Sequence, residues 1–194
     1  MLSGRAGMLL SSRIAAHAQI IVFRVSKQPC SSIHGRTHAT HVAFQVQNVS
    51  CNKRFPIQVW DLAVQTCQHT LKHHTDKVQV VCWNPAEAPI LLSGGFDARA
   101  CILDLRDPKQ AGASWKLSKD VEALTWNPHT PTQFLAACED GLVTCFDARS
   151  GSGSKPLFTL SAHDKPTTSI CYNPSIPGLL ATASTDKTVR ACLC

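Results

Sequence analysis

At 194 residues and 44% apolar content, the chain can form one packed domain of ordinary size or a segment of a larger one, and no apolar run approaches the roughly 20 residues of a transmembrane helix. Its formal net charge of +6 is unevenly placed: all 13 acidic residues lie at Asp61 or beyond, whereas residues 1–60 hold Arg5, Arg13, Arg24, Lys27, Arg36, Lys53 and Arg54. The remainder carries 12 basic residues against those 13 acids, so overall charge gives no ground for nucleic-acid binding by residues beyond 60.

In chain order, residues 1–50 show no repeat pattern and read as a non-repeat basic segment, poorly ordered. Residues 1–29 are rich in Ser, Ala, Arg and Leu and hold no acid, the composition of an organellar transit peptide. A flexible basic arm, or sequence foreign to the ancestral protein such as an alternative first exon, competes with that reading. Only Lys53 and Arg54 are adjacent, and Phe23, Phe44 and Phe55 supply thin aromatic interleaving, which favours a solvated arm over direct nucleic-acid binding. From Phe55 short apolar runs alternate with turn residues, the pattern of an all-β region over residues 51–194. Ile57 to Asp61 forms one strand and Gln65 to Leu71 its outer neighbour. The next unit is predicted over Val78–Trp83, Ile90–Ser93, Ala100–Asp104 and Ser114–Leu117, with Asn84-Pro85 as a breaker and Gly94-Gly95-Phe96-Asp97 as a turn. A further unit follows over Val121–Trp126, Phe134–Cys138, Leu142–Phe146 and Leu157–Leu160. Gly151-Ser152-Gly153-Ser154 is its linker, not a phosphate cradle, because no strand-to-helix context surrounds it. A last unit runs through Thr167–Tyr172, Leu179–Ser184 and Thr188–Cys192. Cys82, Cys101, Cys138, Cys145 and Cys171 fall inside these strands, where a thiol acts as a small hydrophobe. That pattern points to a reducing, intracellular compartment.

Three markers recur in phase. Trp60-Asp61, Leu103-Asp104 and Phe146-Asp147 are spaced by 43 and 43 residues. Trp83-Asn84-Pro85, Trp126-Asn127-Pro128 and Tyr172-Asn173-Pro174 are spaced by 43 and 46, as are Asp97, Asp140 and Asp186. The period matches that of WD-type β-propellers, in which each repeat supplies a four-stranded blade. The stretches His73-His74-Thr75-Asp76-Lys77-Val78-Gln79, Leu91-Leu92-Ser93-Gly94, Asp120-Val121-Glu122-Ala123-Leu124-Thr125-Trp126, Glu139-Asp140-Gly141 and Asp186-Lys187-Thr188-Val189 resemble the periodic tryptophan protein family. Within it they look most like the nuclear and nucleolar, plant-type branch linked to ribosome production. The resemblance covers about two thirds of the chain and none of residues 1–50.

The resemblance implies a partial WD-repeat β-propeller with two complete and two partial blades. It also implies a non-enzymatic scaffold that gathers pre-ribosomal or chromatin proteins in the nucleus or nucleolus. In such repeats a His before the inner strand bonds the turn Asp, so His74 is expected to pair with Asp97 and His163 with Asp186. Leu117 stands at the matching place in the middle blade, which leaves Asp140 without that partner. Trp60, Asp61, Trp83, Asp104, Trp126 and Asp147 complete the expected structural set. A His–Asp pair near Ser184 invites comparison with a hydrolase triad, but its repetition in another blade argues for structure over catalysis. No catalytic site, metal, cofactor, small-molecule substrate or membrane contact is expected. Leu103-Asp104-Leu105-Arg106 and Phe146-Asp147-Ala148-Arg149 resemble the W-D-x-R box of cullin-RING substrate receptors, making Arg106 and Arg149 alternative adaptor contacts. A closed propeller needs about four to eight blades, so the chain is read as a truncated or alternatively spliced product, or an incorrect gene model, of a longer protein.

Overall fold

The computed structural model describes residues 56–61, 64–110 and 112–193, together with the backbone of residues 20–24. Most of the predicted non-repeat segment, including its expected disorder, transit character and basic arm, lies outside the described residues. The described strands form four sheets. The first contains β1 (Ile20–Arg24), β2 (Ile57–Asp61) and β3 (Thr66–Leu71); the second contains β4 (Val78–Trp83), β5 (Ile90–Gly95), β6 (Arg99–Asp104) and β7 (Ser114–Lys116). The third contains β8 (Val121–Trp126), β9 (Gln133–Cys138), β10 (Leu142–Asp147) and β11 (Phe158–Ser161), and the fourth β12 (Thr167–Tyr172), β13 (Leu179–Ser184) and β14 (Val189–Leu193). Neighbours pair antiparallel in chain order throughout the last three sheets. This is the all-β blade architecture, and the four sheets do not close into a ring among the described residues.

Two elements depart from the sequence expectation. Ile20–Arg24 pairs parallel with β2, from Ile20 opposite Ile57 to Arg24 opposite Asp61, although no strand was read there. Its Ile-Ile-Val-Phe run has the β-branched and aromatic character that favours strands, but it lies outside the 43-residue phase. Gly94 and Gly95 also belong to β5, paired with Ala100 and Arg99, rather than to the turn. The reason is steric. A Cβ on Gly94 would stand 2.6 Å from Val121 Cγ1, and one on Gly95 2.7 Å from the Lys77 carbonyl oxygen. These glycines admit the neighbouring sheet and loop rather than bend the chain.

Strand alternation builds the core between sheets. Along β9, Phe134, Ala136 and Cys138 face the second sheet, packing with Leu92, Trp115, Val121, Trp126 and Phe146. Leu135 and Ala137 face the opposite way, joining Val143, Cys145, Ile170, Tyr172 and Leu180 of the third and fourth sheets. A third cluster, with Ile57, Val59, Leu71, Val81, Leu91 and Leu103, joins the first sheet to the second. Trp115 is fully buried, its ring 5.1 Å from Phe134 at 70°, while Phe134 stacks on Phe146 at 5.5 Å. Such edge and stacked pairs add about 0.5–1.5 kcal/mol each beyond area burial. The fourth sheet is more open: Val189 and Leu193 of β14 are 76% and 75% exposed.

Candidate functional site

The strand register puts two sets of sequence markers on opposite rims. At one rim, the loop before each inner strand meets the turn between the second and third strands. His74 Nδ1 lies 3.0 Å from both Asp97 carboxylate oxygens, and His74 Nε2 lies 2.9 Å from Ser93 Oγ. The Thr75 amide donates to Asp97 Oδ2 at 3.0 Å, and the Ser93 hydroxyl donates to the Cys101 carbonyl at 3.3 Å. The fourth sheet repeats the plan: His163 Nδ1 is 2.8 Å from Asp186 Oδ2 and its Nε2 is 2.9 Å from Thr182 Oγ1. The Thr188 hydroxyl and amide both donate to Asp186 Oδ1, at 2.7 and 2.8 Å. These donors, with His163, hold the Asp186 carboxyl down at about 2 despite partial desolvation.

Sequence reasoning placed the His and Asp of each network but assigned no residue to the hydroxyl that completes it. Ser93 and Thr182 each occupy the fourth position of their strand, and that shared phase was the available signal. Ser184, the residue that invited a triad comparison, instead donates to the Lys165 carbonyl at 3.1 Å. Each imidazole is therefore bracketed by a carboxylate and a hydroxyl that itself points to a backbone carbonyl. In the middle blade Leu117 and Ala136 take the His and hydroxyl places, both buried in the apolar cluster between the second and third sheets, while Asp140 Oδ1 accepts the Leu142 amide at 3.2 Å. Two polar residues are thus exchanged together for two apolar ones, which leaves no buried polar atom unmatched there.

The same rim carries acid. Burial raises the Asp120 carboxyl, reinforced by Glu139 and Asp76, and burial with Glu139 raises Glu122. Gln79 donates to Glu122 across the sheet boundary at 3.5 Å. Nearby thiols are protonated and enclosed: burial, then the charge of Asp97, pushes Cys101 up to about 11, and burial with Asp140 does the same for Cys138. Cys171 on the fourth sheet and Cys67 on the first are exposed, unlike the buried Cys101, Cys138 and Cys145.

The opposite rim carries the Asn-Pro loops and the Asp-x-Arg turns. Asn84 Oδ1 accepts the amides of Ala86 and Glu87, Asn127 those of His129 and Thr130, and Asn173 those of Ser175 and Ile176. These side chains replace backbone acceptors in the loop, the usual reason Asn precedes a turn. They also lie at the sheet junctions: Asn84 Nδ2 donates to the Pro131 carbonyl at 2.8 Å, and His129 Nε2 is 3.0 Å from the Asn173 carbonyl. Trp126 Nε1 donates to the Cys82 carbonyl at 3.3 Å, while Trp83 packs half-buried against the cluster below it.

Arg106 folds back on Asp104, with Nη2 2.6 Å from Oδ2 and the Arg106 amide 2.9 Å from Oδ1. Arg149 repeats this on Asp147 at 2.7 and 2.9 Å. The fork draws both carboxyls below the ordinary value. The Arg side chains remain 66% and 72% exposed, where such pairs contribute little stability and release readily to a partner. Arg106 also lines a cleft of about 390 Å³ with Pro89 and Leu105 of the second sheet and Trp60, Asp61 and His69 of the first. The structure thus brings Trp60, Asp61 and Arg106 together and leaves Arg149 one blade away.

Repeated four-stranded sheets, interblade cores and His–Asp loop ties define a β-propeller segment of the WD-repeat class. Residues 60–192 match the family model described as "MIOS, WD40 repeat", and the chain belongs to the WD40-repeat family. Over 139 residues it is 32% identical to Periodic tryptophan protein 1 of Saccharomyces cerevisiae, covering 69% of this chain and 24% of that protein. It is 27% identical over 135 residues to the Periodic tryptophan protein 1 homolog of Drosophila melanogaster, covering 68% and 29%. The Methylosome protein WDR77 of Xenopus laevis matches at 29% over 145 residues, covering 74% and 43%. The chain therefore spans about a quarter of the length of the periodic tryptophan proteins it matches. Its repeat region is a WD40 scaffold for protein interaction.

Proposed function

We propose that this chain serves as a non-enzymatic scaffold in ribosome biogenesis, acting in the nucleus or nucleolus on pre-ribosomal or chromatin proteins. The observation that carries this reading is the similarity to Periodic tryptophan protein 1 over 139 residues of the chain, joined to the family-like stretches, three of which (residues 73–79, 139–141 and 186–189) lie at the His–Asp rim. His74 and His163 are tied to structural carboxylates, and Cys101 and Cys138 are held as buried thiols, arrangements that suit structure rather than nucleophilic chemistry.

The second reading, a substrate receptor of a cullin-RING ubiquitin ligase, is favoured by the two exposed Asp-x-Arg turns. One experiment separates them: affinity capture of the tagged chain from nuclear extract, in wild-type form and as Arg106→Ala/Arg149→Ala. Pre-ribosomal proteins recovered equally by both forms are the expected result. Recovery of ligase adaptor by wild type, reduced at least about tenfold in the double variant, would establish the second reading and overturn the first. Imaging of the same tagged chain, with and without residues 1–50, is expected to show nuclear signal in both; organellar signal that depends on residues 1–50 would favour a transit segment.

A further inference from the structure

The Gly151–Ser154 linker belongs by sequence to the third sheet but is fastened to the second. The Ser114 amide on β7 donates to Ser152 Oγ at 3.0 Å, and the Gly153 amide donates back to the Ser114 carbonyl at 3.0 Å. The indole Nε1 of the fully buried Trp115 donates to Ser154 Oγ at 2.8 Å. Three hydrogen bonds thus close a latch across two sheets. The latch is also open to approach. Ser152 is exposed, Gly151 and Gly153 have φ of 77° and 72°, and no atom lies within 4 Å of where either Cβ would stand.

The charges around this hydroxyl are patterned. Arg149 lies three residues before Ser152 with its side chain 72% exposed, and Lys155 lies three residues after. Within ten residues on either side the sequence holds one acid, Asp147, and it is paired with Arg149. An accessible serine with an Arg at the third preceding position and no unpaired acid in the flanking sequence suits a kinase cleft lined with carboxylates.

We propose that Ser152 is the phosphoacceptor of a basophilic serine/threonine kinase, and that phosphorylation releases the linker from β7. In the transfer step, Ser152 Oγ attacks the γ-phosphorus of kinase-bound ATP. The new Oγ–P bond forms as the bond from phosphorus to the bridging oxygen of ADP breaks, and the hydroxyl proton passes to the kinase's base. Oγ then becomes a poorly accepting ester oxygen beneath a tetrahedral dianion, which cannot retain a 3.0 Å contact with the Ser114 amide in an edge pairing. The dianion instead draws Arg149 away from Asp147, since a phosphate offers the guanidinium a stronger bidentate partner.

The test uses the full chain, the catalytic subunit of a cyclic-nucleotide-dependent protein kinase, and magnesium ATP. Fragmentation mass spectrometry is expected to place one phosphate on Ser152, with none incorporated in Ser152→Ala. Arg149→Gln is expected to lower kcat/KM for phosphorylation at least about tenfold, and Arg149→Lys to restore part of it. Hydrogen exchange of the Ser114 amide is expected to quicken at least tenfold once Ser152 is phosphorylated. Phosphate on Ser150 or Ser154 instead, indifference to Arg149→Gln, or absence of phosphorylation overturns the acceptor assignment. Unchanged Ser114 exchange in the phosphorylated chain overturns the release.

Discussion

His163 is 2% exposed and Thr182 1%, so the fourth-sheet network is a buried polar unit whose members depend on one another. Its carboxylate, Asp186, is held at about 2 against an ordinary value of 3.8. The folded state therefore prefers the ionised form more strongly than the unfolded state does. The resulting stability is fully present above about pH 4 and is lost as pH falls through about 2. In denaturant titrations between pH 5 and 2, Asp186→Asn is expected to flatten the acid loss seen in wild type; an unchanged slope would contradict this account. The His–Asp spacing was legible because both residues recur in phase. Ser93 and Thr182 were not, because a hydroxyl inside an apolar strand has no local signature and gains its role only when the fold brings an imidazole beside it. Leu117, in contrast, announced the gap in the middle blade, and the structure adds Ala136 as the compensating change across the junction.

Turn chemistry shows most at the scale of single elements. Each turn between the second and third strands of a blade has a left-handed residue after its Asp: Ala98 at φ 53°, Gly141 at 83° and Lys187 at 70°. Only Gly141 is a glycine, and it is doubly constrained, since an added Cβ would stand 2.0 Å from the His163 carbonyl oxygen. That carbonyl's residue also donates its amide to the Gly141 carbonyl at 3.2 Å. Gly141→Ala is accordingly expected to cost about 2–3 kcal/mol. Lys187→Gly relieves left-handed strain of roughly 1–2 kcal/mol against a backbone-entropy cost of about 0.5–1 kcal/mol, a net gain between about 0 and 1.5 kcal/mol. Equilibrium urea unfolding of the two variants checks both signs together. Strand existence was readable from short apolar runs and turn residues. The Gly94-Gly95 pair was not, because a glycine that makes a bend and one that admits a neighbour look alike until the neighbour is placed. Ile20–Arg24 was missed for the complementary reason: it pairs outside the repeat phase that guided the reading.

For the molecule as a whole, the third sheet has a core on each face, whereas the fourth leaves β14 largely exposed. Native-state hydrogen exchange is therefore expected to be slowest for amides of β8, β9 and β10 and fastest for β14; uniform protection across the sheets would refute this gradient. The repeat period announced the blades, but it could not show how they hold one another, because each such contact pairs a side chain with a backbone carbonyl or a second side chain of the next blade, a partner fixed only by the fold. Four side-chain ties across sheet boundaries join residues at nearly constant separation: 43 for Gln79 and Glu122, 47 for Asn84 and Pro131, and 44 for both Trp126 with Cys82 and His129 with Asn173. Each of these four closes a loop of about one repeat, at the junction of the second and third sheets or of the third and fourth. The chain entropy surrendered in closing these ties is consequently about the same at both junctions. The search that assembles this region is thus a succession of equal steps, whose pace is set by the length of one repeat and not by the number of repeats.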